Sequence, residues 1–250
     1  TTGSHNSFFG YKAGYNNNAS SNIFIGHEAG YSNVSGNGNT FIGYKSGSDM
    51  EGYGNTFVGY SSGWIQSSGN YNSYFGDQAG HQQSSGSYNC YFGYKTARNN
   101  GSGQYNVVMG YQAGLGTYLN PYNNNVFVGA ESGYNVVSGS NNVFIGYQAG
   151  YNETGSDKLY IESSNGDKDD ALIYGDFSLD ELQLNGNVRI ANWDNVYGAT
   201  GLSIDADGEV SDTILKLRAA STAGTWTDAD TKMVVYGDGS TYLSAVYGDA

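Results

Sequence analysis

The side chains best suited to catalysis in this 250-residue sequence are carboxylates, and they are widely spaced. Glycoside hydrolysis needs two carboxyl groups held roughly 5 to 9.5 Å apart. Glu28, Asp77 and Glu131 occupy variable positions in different copies of a repeat described below, and nothing in the sequence pairs them. Residues 205–209 superficially resemble a calcium loop, but they lack a bidentate Glu six residues after the Gly. We interpret them, and the acidic cluster at 167–170, as solvated turns.

The histidines and the single cysteine show no arrangement typical of a metal site or an activated nucleophile. His5, His27 and His81 lie in different repeats, without the spacing of metal ligands. Cys90 stands where other repeats carry Val, Thr or Ser, so we expect it to behave as a small, inward-facing hydrophobic residue. The sequence therefore predicts no catalytic residue, no cofactor and no metal, and we expect the protein not to be an enzyme.

Composition excludes further classes of function. The net charge is −13, and the ten basic residues are scattered, which argues against nucleic acid as a partner. No apolar run approaches the roughly 20 residues needed to cross a bilayer, so we expect no membrane insertion. Aromatic residues make up 15% of the chain, enough to build a core despite 39 glycines. Because the chain opens inside a repeat, we expect it to be an excerpt or a processed product.

One phrase recurs along the first 150 residues and indicates the architecture. It reads Asn, any residue, two apolar residues, Gly, two variable residues, Ala or Ser, Gly, and nine copies follow one another at spacings of 16 to 19 residues. The copies begin at Asn6, Asn22, Asn39, Asn55, Asn72, Asn89, Asn106, Asn125 and Asn142. This period is too short for helical-pair or propeller repeats and suits one coil of a β-solenoid. Turn-forming Gly, Asn and Ser residues link the predicted strands.

The predicted strands are apolar on both faces, which we interpret as one face for the coil and one for a partner. The first and third strand residues, for example Ile23 and Ile25, are expected to point inward. The middle residues form a bulky ladder that a monomer would not leave exposed, so we predict a subunit interface there. The predicted interface residues are Phe8, Phe24, Phe41, Phe57, Tyr74, Tyr91, Phe127 and Phe144.

Two further columns follow from the repeat. The Asn that opens each copy is expected to form an amide ladder that satisfies backbone groups in the turns. A tyrosine follows the strand glycine in most copies, and we predict a surface column that contacts glycans through its aromatic rings. The possible glycan-contact residues are Tyr11, Tyr44, Tyr60, Tyr94, Tyr111 and Tyr147, and His27, Asp77 and Ala130 interrupt them.

The copy NNVFIGYQAG at residues 141–150 resembles the head repeats of trimeric autotransporter adhesins (YadA-like), whose phrase is Asn-Ser-Val-Ala-Ile-Gly followed by a small-residue turn. The resemblance covers about residues 1–155 and implies a left-handed parallel β-roll, a homotrimer around one axis, and attachment to a surface ligand. The coils here are longer than that family's usual repeat, and Phe or Tyr replaces a small Ala. The repeats also resemble those of phage tail fibres and of surface proteins of marine bacteria.

The predicted organisation is all-β, with a trimeric parallel β-roll followed by a second β-rich region. Residues 1–155 form the nine-copy repeat domain, 156–190 a β-rich transition or capping segment, and 191–250 a β-rich shaft or second domain. We expect an extracellular structural fibre or adhesin segment, on a virion tail or a bacterial surface, that binds a host receptor or glycan. The alternative is a glycan-binding or glycan-depolymerising β-solenoid of a tailspike-like protein.

Overall fold

A computed structural model describes residues 3–117 and 121–186. Across these residues the protein is all-β, without a helix. Its strands are β1 (Ser7–Phe9), β2 (Ile23–Ile25), β3 (Thr40–Ile42), β4 (Thr56–Val58), β5 (Ser73–Phe75), β6 (Cys90–Phe92), β7 (Val107–Met109), β8 (Val126–Val128), β9 (Val143–Ile145), β10 (Lys158–Ile161), β11 (Ile173–Asp176) and β12 (Glu181–Leu184).

The first nine strands form a parallel β-solenoid with one three-residue strand per coil, and we number the coils 1 to 9 by their strands. All twelve strands belong to one sheet in sequential order. Equivalent repeat positions pair without a register shift, as in Phe24 with Phe41 and Phe41 with Phe57. Each position of the repeat therefore forms a continuous column of side chains along the rod. The β-solenoid predicted from the repeat is confirmed.

The strand faces are the reverse of those predicted. The middle strand residues lie inside the coil, where their rings stack with centroids 4.5 to 5.0 Å apart. The residues predicted at a subunit interface are accordingly interior: Phe24, Phe41, Phe57, Tyr74, Tyr91, Phe127 and Phe144 are fully buried, and Phe8 is half-buried in coil 1. Their flanking strand residues, predicted to be interior, face outward, and Cys90 is exposed among them.

The interior aromatic column fits because a glycine faces most of its rings; the equivalent residue of coil 6, six positions after Tyr91, is the buried Ala97. Gly30 lies six residues after Phe24, and a Cβ on Gly30 would stand 2.6 Å from that ring. Gly80 has the same relation to Tyr74, where a Cβ would stand 2.5 Å from the ring. A narrow coil thus holds one large ring opposite a residue with little or no side chain, while the flanking strand residues remain outside.

The predicted asparagine ladder is continuous, and its members are buried from Asn22 to Asn142, with Asn6 partly buried in coil 1. The Oδ1 of each ladder Asn accepts the backbone N–H of the equivalent residue in the next coil at 2.8 to 3.0 Å, from the Asn6–Asn22 pair to the Asn142–Lys158 pair. Several Nδ2 groups donate to a glycine carbonyl further along the chain, as Asn89 does to Gly103 at 2.9 Å. The ladder therefore satisfies backbone groups that the coil would otherwise bury without partners.

Coil 7 replaces its missing ring with a side chain from a later position of the same repeat. Val108 is the one small residue in the aromatic column of the nine strands. The fully buried Tyr122 lies with its ring centroid 5.6 Å from that of Phe127. Its hydroxyl donates to the Gly114 carbonyl at 2.6 Å, and its N–H donates to Asn100 Oδ1 at 2.9 Å. Tyr122 stands three residues before the ladder Asn125, a position that is Gly in seven of the other eight copies, and its carbonyl accepts the Asn106 Nδ2 bond as those glycine carbonyls do.

The last described strands change the direction of pairing. β10 still pairs in parallel with β9, whereas β11 and β12 continue the sheet antiparallel. Tyr160 packs edge-on against Phe144, with ring planes at 84°, and ends the face-to-face stack of the coils. Lys158 forms an ion pair with Asp176 across β10 and β11. The β-rich region predicted over 191–250 lies outside the described residues.

Candidate ligand-contact surface

The tyrosines predicted to contact glycans form an exposed column beside the strands. Each follows the glycine that ends a strand, and backbone hydrogen bonds between coils keep the register past that glycine. The N–H of Glu28 donates to the Tyr11 carbonyl, and the N–H of Ser61 donates to that of Tyr44, each at 2.8 Å. All six side chains are exposed, as predicted: Tyr11, Tyr44, Tyr60, Tyr94, Tyr111 and Tyr147.

Neighbouring rings in this column cover one another's faces. The centroids of Tyr44 and Tyr60 are 5.0 Å apart with nearly parallel planes, and those of Tyr94 and Tyr111 are 5.5 Å apart. His27 was predicted to interrupt the column, but its ring continues the stack between Tyr11 and Tyr44. Ring edges and phenol oxygens therefore face solvent along most of the column. A sugar can stack on a ring face only where the column is broken.

Lysines from the next repeat position lie over these rings. Lys45 Nζ is 4.8 Å from the centroid of the Trp64 ring and 5.6 Å from that of Tyr44. Lys95 Nζ is 4.9 Å from the Tyr94 centroid, a distance suited to a cation–π contact. Glu28 Oε2 of coil 2 lies 3.6 Å from Lys45 Nζ of the neighbouring coil 3. These contacts give the column a mixed aromatic and charged border.

The break at Asp77 in coil 5 is polar and partly buried. Arg98 Nε donates to Gln78 Oε1 at 3.0 Å, beside His81 and Asp77. The pKa of His81 is lowered to about 4. Burial is the main cause, Arg98 contributes in the same direction, and Asp77 opposes the shift. Among the described residues, Asp77 Oδ1 and His81 Nδ1 are buried without a hydrogen-bond partner. This break carries charge where the column elsewhere carries a ring.

The break at Ala130 in coil 8 carries a methyl group in place of a ring. Ala130 stands between Tyr111 and Tyr147, and both of these rings are 52% exposed. Tyr44, which has rings on both sides, is 39% exposed. Tyr60, which borders the Asp77 break, is also 52% exposed, so what distinguishes the break at Ala130 is the small, uncharged side chain that stands there.

The carboxylates considered for glycoside cleavage are not brought together. Glu28, Asp77 and Glu131 belong to coils 2, 5 and 8. Successive members are thus three coils apart, or about 14 Å at the spacing of β-strands. This exceeds the separation that either mechanism of glycoside hydrolysis uses. Glu131 instead accepts a hydrogen bond from Gln148 Nε2 at 2.6 Å.

Sequence reasoning missed an acidic cleft beside the last coils. A cleft of about 150 Å³ is lined by Glu153, Tyr160 and Asp167, among other residues. Glu153 accepts the Tyr160 hydroxyl at 3.0 Å, and the nearby Glu162 accepts the Gly150 N–H at 3.2 Å. Burial raises the pKa of Glu162. No sequence signal distinguishes these carboxylates, because they lie outside the repeated positions.

Further aromatic columns also escaped the sequence analysis. Tyr71, Tyr88 and Tyr105 stack at 5.0 to 5.5 Å on another corner of the coils. Tyr134 and Tyr151 form a nearly parallel pair at 4.9 Å, close to Glu131 and Tyr147. The signal was present, since each set recurs at a fixed offset from the ladder Asn.

Comparisons with known proteins give no relative for this chain: no family model, curated protein or solved structure matches it. Within residues 3–117 and 121–186, no helix is long and apolar enough to cross a membrane. Over the same residues, no group of three His, Cys, Asp or Glu side chains could hold a metal ion.

Proposed function

We propose that the chain is a structural and adhesive segment of an extracellular fibre, from a phage tail or a bacterial surface adhesin. The observation that carries this proposal is the regularity of the exposed columns. Nine coils present equivalent positions to solvent at every step of the rod, with aromatic residues at several corners. An extended, repetitive surface is suited to spacing and attachment, because solenoids bind along extended faces built from neighbouring repeats.

We further propose that the fibre is a homotrimer whose chains pack through the outward face of the strands. That face carries a line of exposed apolar residues: Phe9, Ile23, Ile25, Phe92, Val107, Met109, Val128 and Ile145. An apolar line of this length favours association over exposure in a monomer. The number of chains comes from the resemblance to trimeric adhesin heads. The sequence predicted the interface at the middle strand residues, but these form the interior ring column. The outward strand face is therefore proposed in their place.

Light scattering on the native protein tests the trimer. We expect a mass about three times 26.6 kDa, which falls to that of one chain in strong denaturant. Replacing Ile25, Met109 and Ile145 together by Lys places charges on the outward face and is expected to release folded monomers. Ser85→Lys, at an exposed turn, is the matched control and is expected to leave the trimer intact. A monomeric native protein contradicts the trimer.

Attachment is tested separately, by binding of the labelled protein to bacterial cells and to immobilised surface glycans. The variant with Tyr44, Tyr60 and Tyr94 replaced by Ala removes exposed rings and keeps the core column. We expect attachment to fall while the far-ultraviolet circular dichroism spectrum is unchanged. Wild-type protein that binds no cell or glycan surface contradicts the adhesive role and leaves a passive spacer.

A further inference from the structure

The break at Ala130 has a defined width because the coil spacing is fixed. The N–H of Glu131 donates to the Tyr111 carbonyl at 2.8 Å, and the N–H of Gln148 donates to the Ala130 carbonyl at 2.9 Å. These bonds hold the three coils in register at the surface column. Two steps of about 4.8 Å place Tyr111 and Tyr147 about 10 Å apart. Between them Ala130 carries only a methyl group, where six of the nine copies carry a tyrosine ring.

A space of this width holds one ring. In the filled part of the column, centroids are 5.0 to 5.5 Å apart, for example between Tyr94 and Tyr111. A guest midway between Tyr111 and Tyr147 would have an aromatic face about 5 Å away on either side, within the range of favourable ring contacts. The guest therefore needs two apolar faces.

The border of the space is polar, which favours a sugar over an aromatic guest. Glu131 and Gln148 form a hydrogen-bonded pair at the next position of each coil. Tyr151 lies near Glu131 and Tyr147 and adds a phenol to the same corner. A pyranose with every substituent equatorial exposes only axial C–H groups on its two faces and directs its hydroxyls outward. The C–H faces suit the negative faces of tyrosine rings, and the hydroxyls suit the carboxylate and amide.

We propose that Tyr111, Ala130 and Tyr147 form a sugar-binding slot that takes one all-equatorial pyranose residue, of the β-gluco configuration, between the two tyrosine rings. Glu131 and Gln148 bind its hydroxyls at the border. An axial hydroxyl, as in the galacto configuration, would meet one of the ring faces and is rejected. The slot gives the proposed attachment function a ligand class and a binding place. Its biological role rests on that proposed function, whereas sugar binding by the slot can be tested without it.

The repeat itself supplies the test variant. Tyr occupies the Ala130 position in six of the nine coils, so Ala130→Tyr completes the column with a residue that the coil accommodates. We expect this variant to fold and melt as the wild type does, while the slot is filled. Ala130→Ser keeps the slot open, and Asp77→Tyr fills the other break as a control for position.

The measurement is binding of cellotetraose to the full chain, by saturation-transfer NMR and titration, with the galacto-configured β-1,4-galactotetraose as the mismatched probe. We expect cellotetraose to bind the wild type at least about tenfold more tightly than the galacto probe. Ala130→Tyr is expected to weaken cellotetraose binding by about tenfold or more, whereas Ala130→Ser and Asp77→Tyr stay within about twofold.

The outcomes separate the slot from the fibre proposal. Failure of cellotetraose to bind the wild type, or equal binding to Ala130→Tyr, overturns the slot, and so does equal affinity for both tetrasaccharides. Trimer mass and cell attachment, measured on the same samples, decide the fibre proposal independently. Loss of cellotetraose binding in Ala130→Tyr with attachment unchanged supports the slot and places the main receptor contact elsewhere.

Discussion

At the scale of single residues, the glycine that ends each strand leaves no room for a side chain. Gly93 has φ of 138°, a conformation that glycine alone adopts readily, and a Cβ there would lie 2.4 Å from the Gly110 carbonyl oxygen. We expect Gly93→Ala to lower the free energy of unfolding by about 3 kcal/mol or more, because backbone strain adds to the overlap with the next coil. Denaturant titration followed by circular dichroism measures the loss.

Gly38→Ala is the matched control for that change. Gly38 also has a positive φ, of 68°, but a Cβ added there would have no heavy atom within 4 Å. Strain alone applies at this position, so we expect a loss of only about 1 kcal/mol. Equal losses for the two variants would contradict the role assigned to the close approach of neighbouring coils.

The asparagine ladder predicts a second residue-scale effect. Asn89→Ala removes the acceptor of the buried Asn106 N–H and the donor to Gly103. Unsatisfied buried groups are costly, so we expect a loss of about 2–3 kcal/mol in the free energy of unfolding. Asn135, whose amide bonds to Asn152 at the surface, is the control and is expected to change stability by less than about 1 kcal/mol when replaced by Ala. Similar effects at both sites would show that the ladder has no special role.

Stability should also depend on the protonation of His81. Its pKa is about 4 in the folded protein, against about 6.5 in an unfolded chain. Between these values the unfolded chain binds more protons, so the free energy of unfolding falls as the pH is lowered from 6.5 to 4. His81→Gln is expected to flatten this dependence in urea titrations at several pH values. An unchanged slope would contradict the neutral, buried state of His81.

At the scale of elements, coil 7 offers a test of how the interior column is filled. Tyr122→Ala should destabilise by about 3–5 kcal/mol through the cavity it leaves. Val108→Phe should overfill the coil at a cost of about 1–3 kcal/mol, because Tyr122 already occupies the space. If Tyr122 substitutes for the missing ring, the double variant is more stable than the sum of the single losses predicts. A double-mutant cycle measures this coupling, and additivity would contradict the substitution.

The repeat predicted the coils and the strand positions, but it did not predict which strand face is interior. Both faces are apolar in residues such as Ile23, Phe24 and Ile25, so alternation alone cannot assign the inside. The deciding feature is the small residue six positions after each ring, which makes space for it: a glycine in every coil except coil 6, where it is Ala97. The ring and this small residue lie on opposite sides of the coil. Their contact can be inferred only when the path of the chain around the coil is known.

The candidate site was predictable only in part, for a similar reason. The sequence placed the Tyr44 and Tyr60 column at the surface correctly, since a fixed repeat position gives a fixed corner. It could not give the ring orientation by which neighbouring rings cover one another's faces. Tyr122 was missed because it stands three residues before the ladder Asn125, a position that is Gly in seven of the other eight copies, so the repeat predicts no ring there.

At the scale of the whole molecule, each coil contacts mainly its neighbours, so complete coils should be removable. Deleting residues 73–89 joins Asn72 to Cys90 and restores both the ladder and the strand register. We expect this variant to fold with a rod shorter by about 4.8 Å in small-angle X-ray scattering.

Deleting residues 81–88 is the matched control, because it removes half a coil and shifts every column. The interior aromatic rings on one side of the deletion would then lie against glycine carbonyls and turns of the next coil, and no longer against the rings of the interior column. We expect loss of cooperative unfolding and aggregation. Equal folding of the two deletions would contradict a structure built from registered coils.

The hydrogen bonds between coils run along the rod, as from the Thr56 N–H to the Asn72 carbonyl. A pull along the rod therefore loads every coil-to-coil junction in series with the same force, and the rod is only as strong as its weakest junction. Adding coils extends reach without adding tensile strength. Strength rises only when rods lie side by side and share the load, so reach and strength are set by separate features of the assembly: the number of repeats and the number of chains.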